Sequence, residues 1–124
     1  MLLFFINYSG LSDGLYFFNS TANDTSGTIN NLETRNITLD SINPTLSLLS
    51  PSNMSNFSSA SVQINFSTTD ANPSSCWWTN NTGVKNTSVT CNNNITSQIW
   101  NEGLNVLRIY ANDSAGNLNT SSLT

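Results

Sequence analysis

Hydrophobic residues alternate with polar residues over short stretches of this chain, and turn-forming residues separate the stretches. In residues 62–66, valine, isoleucine and phenylalanine alternate with Gln63 and Asn65, which is the two-residue period of a half-buried β-strand. The alternation predicts that Asn65 points to solvent. No stretch combines the period of a helix with its end caps, and the prolines fall at strand ends or in turns. The pattern therefore predicts an all-β protein with antiparallel strands.

The second part of the chain is predicted to contain seven strands. Seven short strands with frequent turns are typical of an immunoglobulin-like antiparallel β-sandwich. The apolar opening, residues 1–6, is too short for a signal peptide or a membrane span, and we interpret it as a strand inside a domain. The seven strands are expected at residues 36–49, 61–69, 75–79, 84–90, 95–100, 104–112 and 117–123.

The chain contains an internal repeat. Residues 11–27 align without a gap with residues 100–116, an offset of 89 positions, and a period near 90 suits a whole sandwich domain. The repeat predicts that residues 1–35 are the C-terminal part of one immunoglobulin-like repeat. Residues 36–124 are then a second, nearly complete repeat, with a linker at residues 33–43. Identical residues recur from Ile6, Gly14, Leu15, Ala22, Asn23, Asp24, Gly27 and Asn30.

Four segments carry a resemblance to a known family. They are Asp-Gly-Leu-Tyr at 13–16, Arg-Asn-Ile-Thr-Leu-Asp-Ser-Ile-Asn-Pro-Thr at 35–45, Leu-Leu-Ser-Pro-Ser-Asn at 48–53 and Ala-Asn-Asp-Ser-Ala-Gly-Asn at 111–117. The pattern resembles the immunoglobulin-like repeats of large surface proteins of archaea and related prokaryotes, and the similarity covers essentially the whole chain. The resemblance implies domains joined end to end as stalks or adhesins, with neighbouring repeats as partners and neither catalysis nor a cofactor.

Charge is scarce in this chain. Only 8% of its 124 residues are charged, against about 25% in an ordinary soluble protein, so amides, hydroxyls or attached sugars must solvate the surface. Three basic and seven acidic residues give a net charge of −4. Three scattered cations cannot form the basic patch needed to bind nucleic acid or an anionic membrane. We therefore expect no nucleic-acid partner and no membrane contact by this segment.

N-glycosylation sequons, Asn-X-Ser/Thr with X other than proline, occur twelve times. Composition alone would give about six, because the chain has 22 Asn, 20 Ser and 15 Thr. One interpretation is that these residues accumulate in turns, where they bond the local backbone. The other is that many sites carry glycan, which places the chain outside the cell. The sequon residues are Asn7, Asn19, Asn23, Asn36, Asn53, Asn56, Asn65, Asn80, Asn86, Asn94, Asn112 and Asn119.

Cys76 and Cys91 are the only cysteines, and a hairpin turn is predicted between them at residues 80–83. An even cysteine count in a secreted β domain favours a disulfide between them. The alternative is two buried free thiols. Two cysteines without any histidine argue against a zinc site.

Trp77 and Trp78 are adjacent on one predicted strand, so they must face opposite sides of the sheet. One of them is expected to pack in the core near the cysteines. The other is a candidate for stacking on a sugar or a partner protein, because exposed aromatic side chains often mark binding surfaces.

The segment 111–117 is predicted to form a tight turn, in which Asp113 bonds the local backbone and Gly116 takes a positive φ angle. A second hypothesis gives the aspartates a joint role. In immunoglobulin topology the base of one domain meets the tip of the next, and carboxylates at such a junction would bind calcium. The candidate ligands are Asp13, Asp40, Asp70 and Asp113.

Catalysis has little support in the sequence. The chain has no histidine, which removes the usual general base and the hydrolase triads built on it. A carboxylate-dependent hydrolase is a remote alternative, because folding can bring two carboxylates together. The leading hypothesis is a glycosylated spacer or stalk of an extracellular, cell-surface protein. The main alternative is an adhesin domain that binds carbohydrate or protein through loop residues or an exposed tryptophan.

Overall fold

The computed structural model of the chain describes residues 6–80, 86–96 and 98–124. The strand predicted over residues 1–6 and the turn predicted at residues 80–83 lie almost entirely outside these residues. The described residues form ten strands, and every strand pairing is antiparallel. The predicted all-β class is confirmed. No helix among them is long and apolar enough to cross a membrane.

The chain divides into two compact units, Met1–Ser41 (unit 1) and Ile42–Thr124 (unit 2). Unit 1 is a long two-stranded ribbon. β2 pairs with β3 around a tight turn, β1 pairs with β4 farther along the same two arms, and Leu32 N donates to the Ser20 carbonyl between the two ladders (2.9 Å). None of its described residues is buried. The strands are β1 (Gly14–Phe18), β2 (Thr21–Asn23), β3 (Ile29–Asn31) and β4 (Arg35–Leu39).

The division between the units falls after Ser41, whereas the repeat predicted it after residue 35. The difference arises because β4 pairs with β1 and so belongs to unit 1. The single strand predicted over residues 36–49 is wrong, since β4 ends at Leu39 and the next strand begins only at Thr45. The Asn43-Pro44 dipeptide lies between them, and proline has no N–H to donate to a ladder.

Unit 2 contains a two-stranded and a four-stranded sheet. β5 pairs with β6, and the larger sheet has the order β10-β9-β7-β8. The strand predicted at residues 95–100 is wrong: the described residues of this segment form only isolated bridges, Ile95 with Ile64 and Ile99 with Ser61. The strands are β5 (Thr45–Ser50), β6 (Asn65–Thr69), β7 (Pro73–Asn80), β8 (Thr87–Val89), β9 (Leu107–Asp113) and β10 (Leu118–Leu123).

Both sheets of unit 2 contribute to one hydrophobic core, an arrangement consistent with a β-sandwich. Alternate residues of β9 and β7 point into this core, and Ile109 has no exposed surface. The indole of Trp100 lies 6.0 Å from that of Trp78, and its N–H donates to the Val62 carbonyl (3.1 Å). The buried hydrophobic residues are Ile64, Phe66, Cys76, Trp78, Ile95, Leu107, Ile109 and Ala111.

Candidate functional site

The turn between β9 and β10 is organised by Asp113. The Asp113 N–H donates to the Asn117 carbonyl (3.2 Å), while the backbone N–H and the side-chain Nδ2 of Asn117 donate to the carboxylate (2.8 and 2.7 Å). Gly116 has a φ of 96°, a conformation that glycine adopts without steric cost. The predicted tight turn is confirmed, including the role of Asp113 in bonding the local backbone.

The Asp113 side chain is only 2% exposed. Its burial acts to raise the pKa. Hydrogen bonds from the side chain and backbone of Asn117, and then from the Gly116 and Ala115 backbone, outweigh the burial and hold the pKa below its ordinary value. A lowered pKa suits a permanently ionised hydrogen-bond acceptor and opposes a role as a general acid.

Unit 1 contains the same turn 89 positions earlier. The Asp24 carboxylate accepts from the backbone N–H groups of Ser26 and Thr28 (2.8 and 2.9 Å), and Gly27 has a φ of 82°. The pKa of Asp24 is lowered, chiefly by the Thr28 backbone bond. Asp24 itself is exposed, so the two turns share their chemistry but differ in burial.

The strand register repeats at the same offset. Ala22 pairs with Asn30 in unit 1, and Ala111 pairs with Asn119 in unit 2, with matching pairs on either side of each. In a hairpin the turn sets the register of the strands that it joins, and both recur at the spacing read from the sequence. The repeat is therefore a repeat of structure over the β2–β3 and β9–β10 hairpins.

The four aspartates proposed as calcium ligands are divided between the units. In unit 2, carboxylate oxygens of Asp70 and Asp113 lie within 4.8 Å of each other. Asp70 also accepts the Asn72 N–H (2.8 Å). In unit 1, Asp13 accepts from the backbone and hydroxyl of Ser41 (3.1 and 2.9 Å), and Asp40 is half-buried after β4. Calcium binding stays a prediction, as does the remote hydrolase alternative.

Cys76 and Cys91 form a disulfide, as predicted, with their Cα atoms 5.2 Å apart. Cys76 is buried on β7, two positions before Trp78, and Cys91 follows β8. The bridge closes the β7–β8 hairpin, which forms an edge of the larger sheet. It therefore fastens the edge strand β8 to the core.

Trp77 and Trp78 face opposite sides of β7, as predicted. Trp78 is 6% exposed and belongs to the core, which removes it as a binding residue. Trp77 is half-buried on the outer face, where it stacks on Tyr110 of β9 with ring centroids 5.4 Å apart and an interplanar angle of 5°. Arg108, two positions before Tyr110, is exposed. The position of Tyr110 opposite Trp77 follows only from the register of β7 with β9, so Tyr110 carries no local sequence signal as a site residue.

The twelve sequons differ in accessibility. Asn65, predicted to point to solvent, is instead half-buried, and its Oδ1 is buried without a partner. It lies on the outward side of β6, because Ile64 and Phe66 on either side of it are buried, and it pairs with Ser50 beside a bulge in the β5–β6 ladder. Asn80, Asn112 and Asn119 are also half-buried. The exposed sequon residues are Asn7, Asn19, Asn23, Asn36, Asn53, Asn56, Asn86 and Asn94.

Two of the half-buried sequon residues are held by the backbone of unit 2. Asn119 donates from Nδ2, the atom to which a glycan is attached, to the Pro44 carbonyl (2.8 Å). Asn112 accepts the Ser75 N–H at its Oδ1 (3.0 Å). Glycosylation in the folded state is therefore disfavoured at Asn119 in comparison with the exposed positions.

An open groove of about 910 Å³ lies at the end of unit 2 opposite the Asp113 turn. The loop of residues 51–60 and the segment 100–105 form its walls, with Phe57, Trp100 and Leu104 among the lining residues. Phe57 and Leu104 are 54% and 71% exposed. The sequence analysis did not single out this groove, since its two walls are far apart in the chain.

No protein-family model matches the chain, and no curated protein matches it. The class that the fold defines is an all-β protein with a disulfide and a repeated hairpin.

Proposed function

We propose that this chain is part of an extracellular spacer or stalk built from tandem immunoglobulin-like repeats. The observation that carries the proposal is the recurrence of one hairpin, with the same register and the same aspartate turn, at an offset of 89 residues. A repeat of whole-domain length produces a row of similar domains. The described residues of unit 1 then belong to the C-terminal part of one repeat, and unit 2 supplies the sandwich of the next.

The surface chemistry supports an extracellular location. A disulfide persists in an oxidising compartment, and Cys76 and Cys91 are bonded. With 8% charged residues, the surface needs another source of solvation, and eight exposed sequon asparagines offer attachment points for glycans. Bulky, hydrated glycans would also shield exposed strand edges from pairing with other chains.

Intact-mass spectrometry tests the glycan coat. This chain, expressed by itself in the native host, should show discrete masses well above the 13.5 kDa polypeptide, while the same chain made in a host without N-glycosylation should show the bare mass. Peptide mapping should find more glycan at the exposed Asn56 and Asn94 than at Asn119, whose Nδ2 is hydrogen-bonded. A bare mass from the native host would contradict the proposal.

A binding module is the second candidate function, and the stacked Trp77–Tyr110 pair favours it. These half-buried rings lie on the outer face of the larger sheet beside the exposed Arg108, where an apolar sugar face or a partner side chain would find both an aromatic surface and a cation. A glycan array and a pull-down with surface extract test this function. Trp77→Leu should remove any specific signal, whereas Thr120→Ala, opposite Tyr110 on β10, should keep it. No specific ligand in either assay favours the spacer.

A further inference from the structure

Equivalent positions of the two hairpins differ sharply in burial. Leu107 and Ala111 of β9 are 2% and 1% exposed, and alternate with residues that face outward. Phe18, which aligns with Leu107, is 49% exposed, and Ala22, which aligns with Ala111, is also exposed. Since turn and register are the same, the difference comes from what covers the hairpin. We call the side of unit 1 that bears Phe18, Ser20, Ala22 and Asp24 the open face.

Unit 2 shows what covers this face. β9 lies between β10 and β7, so its second edge pairs with β7, including Trp78 opposite Ile109. Phe66 of β6 joins the same core from the smaller sheet, together with Ile64, which precedes β6. Among the described residues of unit 1, β2 pairs only with β3. The edge of β2 that corresponds to the β7 side of β9 has no strand beside it in that part of the chain.

A two-stranded ribbon with these side chains is a poor free-standing structure. Isolated two-stranded hairpins are marginally stable in water, and a cluster of exposed apolar residues marks a surface that another element covers. On the open face Phe18 is 49% exposed, and Leu32, whose N–H donates to the Ser20 carbonyl, is 67% exposed. A stable unit 1 therefore requires another structural element on its open face. The equivalent hairpin of unit 2 indicates that this element is a β-sheet segment.

We infer that the open face of unit 1 is a docking surface for a β-sheet segment with the pattern of residues 42–99, supplied by another repeat. The inference rests on the proposed tandem-repeat organisation and names the surface and partner through which consecutive segments complete a domain. Residues 42–99 are the matching segment because Trp100, which follows them, aligns with Leu11. The partner adds a strand to the free edge of β2 by backbone hydrogen bonding and covers Phe18 with apolar side chains.

One difference between the two copies of the repeat determines how stable the docked domain should be. Ser20 occupies the position of Ile109, the most buried core residue of unit 2. A hydroxyl in that place gives less apolar burial than isoleucine does. The completed domain should therefore form but be less stable than unit 2.

The test is a fusion in which a copy of residues 42–99 precedes residues 11–124. Hydrogen exchange measured by NMR should show β2 amides protected on the order of 100-fold or more over the unfused chain. Phe18→Asp should abolish this protection in the fusion and leave exchange in the unfused chain unchanged. Ser20→Ile in the fusion should increase the protection of the β2 amides. This variant keeps the inference testable if the parent fusion is only marginally stable.

Two outcomes would overturn the inference. One is unprotected β2 amides in both the fusion and its Ser20→Ile variant. The other is protection of β2 in the unfused chain together with a dimeric mass by light scattering, which would make a second copy the cover. Neither outcome affects the glycan masses on which the proposed function is tested, so the two can fail separately.

Discussion

The β2–β3 and β9–β10 hairpins are two copies of one design in different surroundings. Their registers and aspartate turns match, yet the strand of one copy carries the core of unit 2 and the other has no buried residue among those described. Turn and register are therefore encoded locally, in the Asn-Asp-Ser/Thr-X-Gly segment. Burial depends on strands that are distant in the sequence.

The two aspartates separate the local and the tertiary contributions. Asp24 is exposed, and its pKa is lowered chiefly by the Thr28 backbone bond. For Asp113 the largest effect is burial, which acts in the opposite direction, and Asn117 must outweigh it with both side chain and backbone. The same turn therefore favours an ionised carboxylate in both settings. At Asp113 its hydrogen bonds must also offset the effect of burial on the pKa.

The largest difference between the hairpins should appear at the aligned pair Leu107 and Phe18. Leu107→Ala should lower the free energy of unfolding of unit 2 by about 2–5 kcal/mol, because it leaves a cavity in the core. Phe18→Ala should change the stability of its own hairpin by less than about 0.5 kcal/mol. Urea unfolding followed by tryptophan fluorescence measures the first variant, since the three tryptophans are in unit 2, and hydrogen exchange of β2 measures the second. Similar losses in both variants would contradict the comparison.

Removal of the disulfide should be the next largest effect. Replacing Cys76 and Cys91 together by alanine frees a loop closed over a sequence separation of 15, which should cost unit 2 about 3 kcal/mol. Unit 1 has no cysteine, so the exchange of its amides should not change. The same urea titration, with hydrogen exchange for unit 1, checks both statements. An unshifted midpoint would show that the bridge does not stabilise the sandwich.

The aspartate turns provide the third comparison. Asp113→Ala should destabilise unit 2, because the half-buried donors of Asn117 lose their acceptor. Asp24→Ala should have a smaller effect on its own hairpin, since water can solvate the freed N–H groups of an exposed turn. Urea unfolding for the first variant and hydrogen exchange for the second measure the difference. Equal effects would mean that burial adds nothing to the turn.

A pH titration should reveal the smallest effect. The pKa of Asp113 is lower in the folded chain than its ordinary value of 3.8. Its carboxylate therefore contributes stability fully above pH of about 4, and this contribution is lost as the pH falls through the folded pKa. The urea concentration at the unfolding midpoint of unit 2 should decrease over this pH range. It should decrease less for Asp113→Asn. An unchanged acid dependence in this variant would exclude Asp113 as its source.

Sequence patterns predicted the parts of the molecule that are set by short-range rules. The all-β class, the disulfide, the opposite faces of Trp77 and Trp78 and the Asp113 turn all follow from alternation, cysteine count or turn chemistry. The strand at 95–100 was wrong because alternation does not show whether a partner strand lies within reach. Asn65 lies on the outward side of its strand, as alternation predicts, but it is half-buried, because alternation does not show how far neighbouring elements cover that side.

The Trp77–Tyr110 pair and the groove near Trp100 lay beyond sequence analysis. Tyr110 meets Trp77 only because β9 and β7 pair in one particular register, and no local signal encodes a long-range register. The groove likewise needs a loop and a segment more than 40 positions away. The boundary between the units falls later than predicted because β4 pairs with β1. The aligned segments of the repeat give no sign of this pairing.

Hydrogen exchange of the unmodified chain compares the burial of the two hairpins in one sample. Amides of β9 should exchange at least about 100-fold more slowly than the aligned amides of β2, since opening β9 requires disruption of the core and opening β2 does not. Equal protection of the two strands would contradict the account of one hairpin design, covered in unit 2 and open in unit 1.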